Sequence, residues 1–266
     1  MSFSGYSFVF DGIPSERFGL VVAGINNTNQ SPGHMGGKLD IQEDRIARRS
    51  TGLHYGAISN EPLSFPISFT VDRDNHFLDR YDVAAIAGWL TGHQQYKKLV
   101  ICQPDLLDVH YMCLITDLVS CEVGGRIVGF TATVSCNGPY AYRTAPATVF
   151  EFQNEEESVI YCNFSNVNDY YRPVIEISTQ STIVSIRNST DGSLFTLSDM
   201  PAMAKTIRID CLNQVMESSD GMNLYQHWNK DIKKVFPQFL RGANQLEVYG
   251  CTALTIKNEF PWNVGY

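Results

Sequence analysis

Residues 109–136 read VHYMCLITDLVSCEVGGRIVGFTATVSC and carry a clear β-structure pattern. In the second half of this stretch, apolar residues alternate with small or polar ones, as they do along a strand with one buried face. The apolar members are Val128, Phe130, Ala132 and Val134. Gly124-Gly125 separates this run from the apolar run before it, and paired glycines suit the tight turns of two-residue hairpins. We therefore expect two paired strands here and a mainly β fold.

The segment before these strands, DRYDVAAIAGWL at residues 79–90, has a helical period instead. Its apolar stripe is expected to consist of Tyr81, Ala85, Ile86, Trp89 and Leu90. Asp79 suits the N-cap of a helix, and Gly92 suits its end. We expect one α-helix at about residues 79–91 that packs on a sheet through Trp89, and we favour this core role over ligand stacking by the indole.

The N-terminal segment is also expected to form strands. Two apolar runs in SFVFDGIPSERFGLVVAGI (7–25) flank a turn at Asp11, Gly12 and Pro14, which predicts a hairpin. Residues 64–71 alternate as in a strand, and Pro66 within them indicates an edge strand or a bulge. The segment 26–60 is expected to be a long loop.

A break in the pattern follows the long strands. The stretch NGPYAYRTAP (137–146) contains one glycine and two prolines, so a domain boundary is predicted near residue 145. Short apolar runs separated by polar turns then continue to the end of the sequence. This spacing predicts a β-sandwich over residues 146–266, after an N-terminal domain over residues 1–145.

The stretch FPQFLRGANQLEVYG (236–250) has two interpretations, a substrate-binding loop or a turn that begins a strand. Gly242 takes positive φ at little cost, and the side chain of Asn244 can hydrogen-bond its own backbone. Leu246 and Val248 then alternate with polar neighbours at a strand period. The turn is the favoured interpretation.

Composition limits the classes of function. The formal net charge of −8 argues against a nucleic-acid-binding protein, because affinity for phosphates comes mainly from Lys and Arg. Seven scattered cysteines without a CxxC pair indicate reduced thiols and folding in a cytoplasm, not a disulfide scaffold. The N-terminal residues show no signal-peptide pattern, and no apolar run is long enough to predict membrane insertion.

Motifs for catalysis or metal binding are weak throughout. His110 and Cys113 are three residues apart on a predicted strand, so their side chains are expected on opposite faces, where they cannot easily share a zinc ion. GHMGGKL (33–39) lacks the first glycine and the hydroxyl residue of a phosphate-binding loop. The glutamates at 155–157 are expected to be a solvated domain junction. We predict no catalytic residue, no metal ligand and no cofactor.

Two features point to contacts with other proteins. Arg45, Arg48 and Arg49 lie in a mixed-charge loop that is either simply solvated or pairs with carboxylates of a neighbouring subunit. The segments 26–60 and 217–241 are longer than loops usually are in compact domains. Trp228 in LYQHWNKD is the best candidate for stacking on a sugar, although a buried anchor is the favoured role for it.

The order of these segments resembles the distal tail protein family of long-tailed siphophages over nearly the whole chain. The resemblance lies in the ordered set of motifs: FVFDGIPSERFGLVV (8–22), PLSFPISFTVD (62–72), DRYDVAAIAGWL (79–90), VSCNGPYAYR (134–143) and FPQFLRGANQLEVYG (236–250). It implies an N-terminal domain, β-sandwich or barrel-like, that forms a homo-hexameric ring around a DNA channel. It also implies a galectin-like or carbohydrate-module-like second sandwich.

The resemblance further implies partners. The tail tube protein docks on one face of the ring and the tail-associated tip protein on the other, and baseplate or receptor-binding proteins hang from the outer domain in many relatives. The location is then the virion tail tip, and an acidic protein suits a channel that does not retain DNA. Two rival hypotheses remain, a carbohydrate-binding module that uses Trp228 to attach the virion to the host envelope, and a wall-degrading hydrolase.

Overall fold

The computed structural model describes residues 6–23, 39–59, 61–71, 78–228 and 235–264. The chain divides into two compact units, Met1–Tyr142 with Trp262–Tyr266, and Arg143–Pro261. The elements of the N-terminal unit are β1 (Phe8–Phe10), β2 (Ile13–Pro14), a 3-10 turn (Ser15–Phe18), β3 (Leu20–Val22), β4 (Leu39–Asp44), β5 (Leu53–Ser59), β6 (Ser64–Val71), α1 (Arg80–Thr91), β7 (Lys97–Ile101), β8 (Val109–Val123) and β9 (Arg126–Cys136).

The strand pair predicted at residues 109–136 is confirmed as β8 and β9. The strands pair antiparallel from Cys113↔Cys136 to Val123↔Arg126. Gly124 and Gly125 form the connecting turn with φ of 58° and 75°, the left-handed conformations that a primed hairpin turn needs. Phe130, Ala132 and Val134 are buried, as their alternation predicts.

The N-terminal strands close on themselves. Antiparallel pairs join β1 to β7, β7 to β8, β8 to β9, β9 to β6 and β6 to β3. The last strand then returns to the first, because the Val22 N–H donates to the Tyr6 carbonyl at 2.8 Å. This circuit confirms a barrel-like N-terminal unit.

The hairpin predicted at the N-terminus is partly wrong. β1 pairs with β2 across Asp11 and Gly12, but the second apolar run, β3, pairs with β6. The 3-10 turn at Ser15–Phe18 separates β2 from β3 and redirects the chain. Pro66 pairs with Thr133 of β9, and the described part of β3 pairs with residues 69–71 of β6. The residues that follow β3 lie outside the described ranges, so the edge or bulge expected at this proline stays a prediction.

The predicted helix is confirmed as α1. The Asp79 carboxylate accepts hydrogen bonds from the backbone N–H groups of Tyr81 and Asp82, and the Asp82 carboxylate accepts one from the Asp79 N–H, which completes a capping box. The predicted stripe is wrong at its N-terminal end, because Tyr81 is 86% exposed and Ala85 is also exposed. The buried face runs through Ile86, Trp89 and Leu90 instead.

Trp89 anchors α1 on the N-terminal aromatic residues. Its ring stacks on Phe18 at a centroid distance of 4.8 Å and on Phe8 at 5.6 Å. Its indole N–H donates to the Phe10 carbonyl at 3.1 Å, so the polar edge of the buried ring is satisfied. Phe8 in turn stacks on Phe69 of β6 at 4.5 Å. The core role predicted for Trp89 is therefore confirmed.

The long loop predicted over residues 26–60 is wrong in its second half. β4 and β5 form a two-stranded antiparallel sheet there, with a bulge between Gln42 and Glu43. The remainder of that predicted loop, up to residue 38, lies outside the described residues. The segment 217–241 contains the end of a strand and a 3-10 turn, Leu224–Gln226, and its residues 229–234 also lie outside the described ranges.

The C-terminal unit is a sandwich of two antiparallel sheets, as predicted. Its elements are β10 (Ala141–Glu151), which begins in the first unit, β11 (Glu156–Asn163), β12 (Val174–Thr179), β13 (Val184–Asn188), β14 (Ser193–Leu197), β15 (Lys205–Asp210), β16 (Val215–Ser218), β17 (Gly242–Tyr249) and β18 (Ala253–Trp262). One sheet has the order β16-β15-β12-β18-β10 and the other has the order β11-β17-β13-β14. Apolar residues from both sheets share one core.

The stretch 236–250 is a structural turn, as favoured from the sequence. Gly242 has a φ of 91° and begins β17. The buried Asn244 side chain accepts from the Leu240 N–H at 2.9 Å and donates to the carbonyls of Leu240 and Gly242. It also accepts from the Asn188 amide at 3.1 Å. The side chain of Asn244 therefore uses its hydrogen-bonding groups within the protein, on the backbone of the turn and on Asn188.

Replacement of Trp89 tests the anchor of α1. We expect Trp89→Ala to lower the free energy of unfolding of the N-terminal unit by about 4 kcal/mol, because a buried indole and its hydrogen bond are removed together. Chemical denaturation followed by circular dichroism measures the change. Tyr81→Ala, on the exposed face of the same helix, is the control and is expected to change stability by less than about 0.5 kcal/mol. Equal effects of the two substitutions would contradict the assigned buried face.

Candidate functional site

A highly exposed part of the N-terminal unit is the arm, which we define as residues 39–59. It consists of β4, the connection 45–52 and β5. Every side chain that the structure describes between residues 40 and 57 is exposed, except at the half-buried Gly56. A two-stranded hairpin is only marginally stable in water by itself. The arm therefore has little core of its own and presents nearly all of its surface.

The exposed surface of the arm includes large apolar groups. Tyr55 is 67% exposed and Ile41 is 60% exposed. Ile46 and Leu53 add to them near the connection. Large apolar groups concentrated on one exposed hairpin are typical of a protein–protein contact, whereas single exposed apolar residues are ordinary.

Polar contacts stabilise the connection 45–52, which is the tip of the arm, and the strand ends beside it. The Tyr55 hydroxyl donates to Asp44 at 3.2 Å, and the Arg49 N–H donates to the Ile46 carbonyl at 3.1 Å to close a turn. Arg48 has a φ of 70° in that turn. Arg45 forms an ion pair with Glu43 at 3.1 Å, with 86% of the arginine side chain exposed.

The structure brings together the three arginines singled out in the sequence. Arg45, Arg48 and Arg49 all lie in the connection at the tip of the arm, and all three are exposed. Guanidinium groups can form two parallel hydrogen bonds with a carboxylate, which makes an exposed arginine cluster suitable for pairing with an acidic surface. Their role as a contact between subunits stays a prediction.

Sequence reasoning missed the apolar part of this surface. The sequence pattern predicts a loop for this segment and assigns no role to Ile41, Leu53 or Tyr55. The available signal was the pair of short apolar-containing runs LDIQED and LHYGAIS on either side of the polar connection. The bulge at Gln42/Glu43 and the glycine at 56 interrupt the two-residue period that identifies strands.

Trp228 lies against the core of the sandwich. Its ring meets Phe236 edge-on at 4.6 Å and lies 6.2 Å from Phe195, and its backbone bridges to Leu197 of β14. The neighbouring His227 ring nitrogen Nδ1 is 3.1 Å from the Ser198 carbonyl oxygen. These contacts place the indole in an anchoring position; a contact with a glycan stays a prediction of the rival hypothesis.

The glutamates at 155–157 are not a domain junction, contrary to the sequence-based expectation. They lie inside the C-terminal unit, where the chain turns from β10 into β11. Glu157 accepts from the backbone N–H groups of Asn154 and Gln153 at 2.7 and 2.8 Å. These hydrogen bonds hold the pKa of Glu157 below its usual value of 4.5. The Tyr249 hydroxyl donates to Glu155 at 2.6 Å. The carboxylates therefore organise a turn.

His110 and Cys113 lie on opposite faces of β8, as their spacing predicts. Cys113 faces the barrel core, while His110 stacks on Tyr142. Burial, with a contribution from Lys98, lowers the pKa of His110 to about 4. Among the residues that the structure describes, no group of three His, Cys, Asp or Glu side chains could hold a metal ion. None of the helices in the described ranges has the length and apolarity to span a bilayer.

Comparisons with known proteins give both a family and a fold. A family model described as a phage tail protein N-terminal domain matches residues 3–138, and one described as a phage tail C-terminal domain matches residues 140–258. No curated protein matches the sequence. The sequence-based resemblance to phage tail proteins is thereby confirmed.

Phage proteins are among the solved structures that share the fold. The Dit protein (gp 19.1) of phage SPP1, described as a paradigm of the hub adsorption apparatus in phages that infect Gram-positive bacteria, superposes with a TM-score of 0.70 at 13% identity. The match covers 96% of this chain and 99% of that one. A chain of the phage p2 baseplate, in its activated conformation with strontium, gives a TM-score of 0.54 at 10% identity over 95% of this chain and 98% of that one.

Substitution of Trp228 tests whether its side chain stabilises the sandwich or binds a sugar. We expect Trp228→Ala to lower the free energy of unfolding by about 2 kcal/mol, because a partly buried ring loses its contacts with Phe236. Chemical denaturation measures it, and Leu212→Ala, at a 58% exposed position, is the control expected to be near neutral. Wild-type stability combined with loss of binding on a glycan array would show instead that the indole serves a ligand.

The Glu157 turn predicts a pH dependence. Because the folded pKa is lowered, the carboxylate contributes stability above its unfolded pKa, and this contribution is lost as the pH falls below 4.5 toward the folded value. We expect Glu157→Gln to lower the unfolding temperature at neutral pH and to flatten its decline between neutral and acidic pH. Thermal unfolding over a pH series measures this, with Glu156→Gln as the control. Parallel pH profiles for wild type and Glu157→Gln would contradict the assignment.

Proposed function

The chain belongs to the family of phage tail proteins defined by these two domains, and from this premise we propose that it is the distal tail protein of a siphophage, a structural hub of the tail tip. The observation that carries the proposal is the fold shared with SPP1 Dit over 96% of this chain. Both units take part in that match, so the likeness is not confined to a common β-sandwich.

The proposed hub is a homo-hexameric ring of N-terminal units around a channel for DNA. A cyclic ring needs two different surfaces that bind each other, because each subunit contacts its neighbours head to tail. The arm supplies one candidate surface. Its apolar groups, such as Ile41 and Tyr55, are exposed to solvent in the single subunit and would be buried against a neighbour.

The tip of the arm supplies the charged part of the proposed contact. Arg45, Arg48 and Arg49 would meet carboxylates of the next subunit. The chain has 28 acidic and 20 basic residues, so acidic partners are abundant on its own surface. The same acidic balance gives a channel no general attraction for DNA phosphates, which suits passage without retention.

The proposed partners follow from a position between tube and tip. The tail tube protein would dock on one face of the ring and the tail-associated tip protein on the other, with baseplate or receptor-binding proteins on the C-terminal sandwich. The role is structural, without catalysis and without a cofactor. The protein would be made and folded in the host cytoplasm and would act at the tail tip of the virion.

Light scattering of the purified protein over a concentration series, with electron micrographs of the heaviest fraction, tests ring formation. We expect a hexamer mass and closed rings with a central hole, either alone or after mixing with the tube or tip protein. Failure to form rings in all three preparations would contradict the hub.

Charge reversal tests the arm. We expect the triple variant Arg45→Glu, Arg48→Glu, Arg49→Glu to raise the concentration needed for assembly at least about tenfold, since several charge-assisted pairs become repulsions. The matched control is Arg172→Glu, Arg208→Glu, Arg241→Glu, which makes the same charge change at exposed positions of the C-terminal unit. If the arm variant forms rings at the wild-type concentration, these arginines do not contribute to the contact between subunits. That result would not contradict the hub proposal itself.

A further inference from the structure

Two of the seven cysteines face each other across the β8–β9 ladder. Cys113 of β8 and Cys136 of β9 are direct partners in the antiparallel register. Directly opposed residues of an antiparallel pair project from the same side of the sheet. Both thiols are reduced and buried in the barrel core.

The hydrogen-bond pattern shows which kind of pair this is. The Asn137 N–H donates to the Met112 carbonyl at 2.9 Å, and the Cys136 N–H donates away from β8, to the Leu63 carbonyl at 2.8 Å. Cys113 and Cys136 therefore form a non-hydrogen-bonded pair, in which opposed Cα atoms are only about 4.5 Å apart. That spacing lies within the range of about 4.4–6.8 Å that a disulfide spans.

The other cysteine of the β8–β9 ladder and the cysteine of the β11–β17 ladder do not lie opposite a second cysteine. Cys121 lies opposite Gly129, and Cys162 lies opposite Ala243. Cys113 and Cys136 also lie close enough to interact electrostatically. Burial raises the pKa of Cys113, and the nearby Cys136 raises it further. Burial raises the pKa of Cys136 to about 12. Both thiols are therefore protonated at neutral pH and react slowly.

We propose that Cys113 and Cys136 are a modification site, at which a cross-strand disulfide forms when the folded protein meets a small two-electron oxidant such as hydrogen peroxide. During a local opening that exposes the pair to solvent, one thiol loses its proton and attacks the peroxide as a thiolate; it becomes a sulfenic acid, and the departing hydroxide takes up a proton and leaves as water. The second thiol then displaces the hydroxyl of that sulfenic acid, the S–S bond forms, and a second water leaves. The two thiols lose two hydrogen atoms and two electrons, and the peroxide O–O bond is reduced.

Because both cysteines are buried, an oxidant reaches them only when the sheet opens locally around them. Cys136 is the last residue of β9, and the exposed Asn137 follows it. Strand ends open locally at a lower free energy than the centre of a sheet. The bond would then fasten β8 to β9 at the open end of the hairpin, opposite the Gly124-Gly125 turn. A protein reduced in a cytoplasm would acquire this bond after release into an oxidising medium.

Peptide mapping of the full-length protein tests the proposal. The folded protein is treated with hydrogen peroxide, its remaining thiols are alkylated in denaturant, and the proteolytic peptides are analysed by mass spectrometry without reductant. We expect one dominant linked pair that joins the peptides of Cys113 and Cys136 and that lacks two hydrogen atoms. We also expect the oxidised protein to unfold about 5 °C higher than the reduced protein.

Two variants make the result specific. Cys162→Ser removes an exposed thiol and is expected to leave the linked pair unchanged, while Cys136→Ala is expected to abolish it and the gain in unfolding temperature. Recovery of Cys113 and Cys136 as alkylated thiols, under conditions that oxidise Cys162, would overturn the proposal. So would a dominant link from Cys113 to any other cysteine. The mapping of the wild-type protein decides the proposal even if one of the variants fails to fold.

Discussion

The antiparallel pairing of β8 with β9 is the interaction on which the N-terminal unit depends. β8 contacts β7 on one side and β9 on the other, and β9 passes the ladder on to β6. The circuit then closes through β3 and the Tyr6–Val22 bridge. Closure leaves the barrel core lined by alternating side chains from every strand, and it gives α1 a defined place, with Trp89 on the aromatic rings of the N-terminal strands. Removal of edges by closure also protects such a sheet from pairing with unrelated strands.

The arm, as far as it is described, buries almost none of its side chains. Its two strands satisfy each other's backbone groups, but its described side chains face solvent. A hairpin with this composition gains hydrophobic stabilisation only when another surface covers it. Under the proposed function that surface belongs to the next subunit, and the arm then couples the order of each subunit to closure of the ring.

The C-terminal sandwich illustrates why fold and ligand binding must be argued separately. The buried side chain of Asn244 forms its hydrogen bonds with the backbone around Gly242 and with Asn188. The best candidate for sugar stacking, Trp228, contacts Phe236 with its ring. Glu157 receives backbone N–H groups where a glycosidase would need a carboxylate facing a cleft. These residues stabilise turns and the core, so a scaffold role explains them without a substrate.

Features that depend on short-range periodicity and on single special residues could be predicted from the sequence. The β8–β9 hairpin followed from alternation and Gly124-Gly125, α1 from Asp79 and a helical period, and the turn at 236–250 from Gly242 and Asn244. Tertiary structure alone decided which partner each strand takes, as β3 shows by pairing with β6. It also decided which face of α1 is buried, where Tyr81 is exposed, and it placed Cys113 opposite Cys136. Strand partners and buried faces depend on contacts between residues distant in sequence, whereas the patterns along the chain report only local geometry.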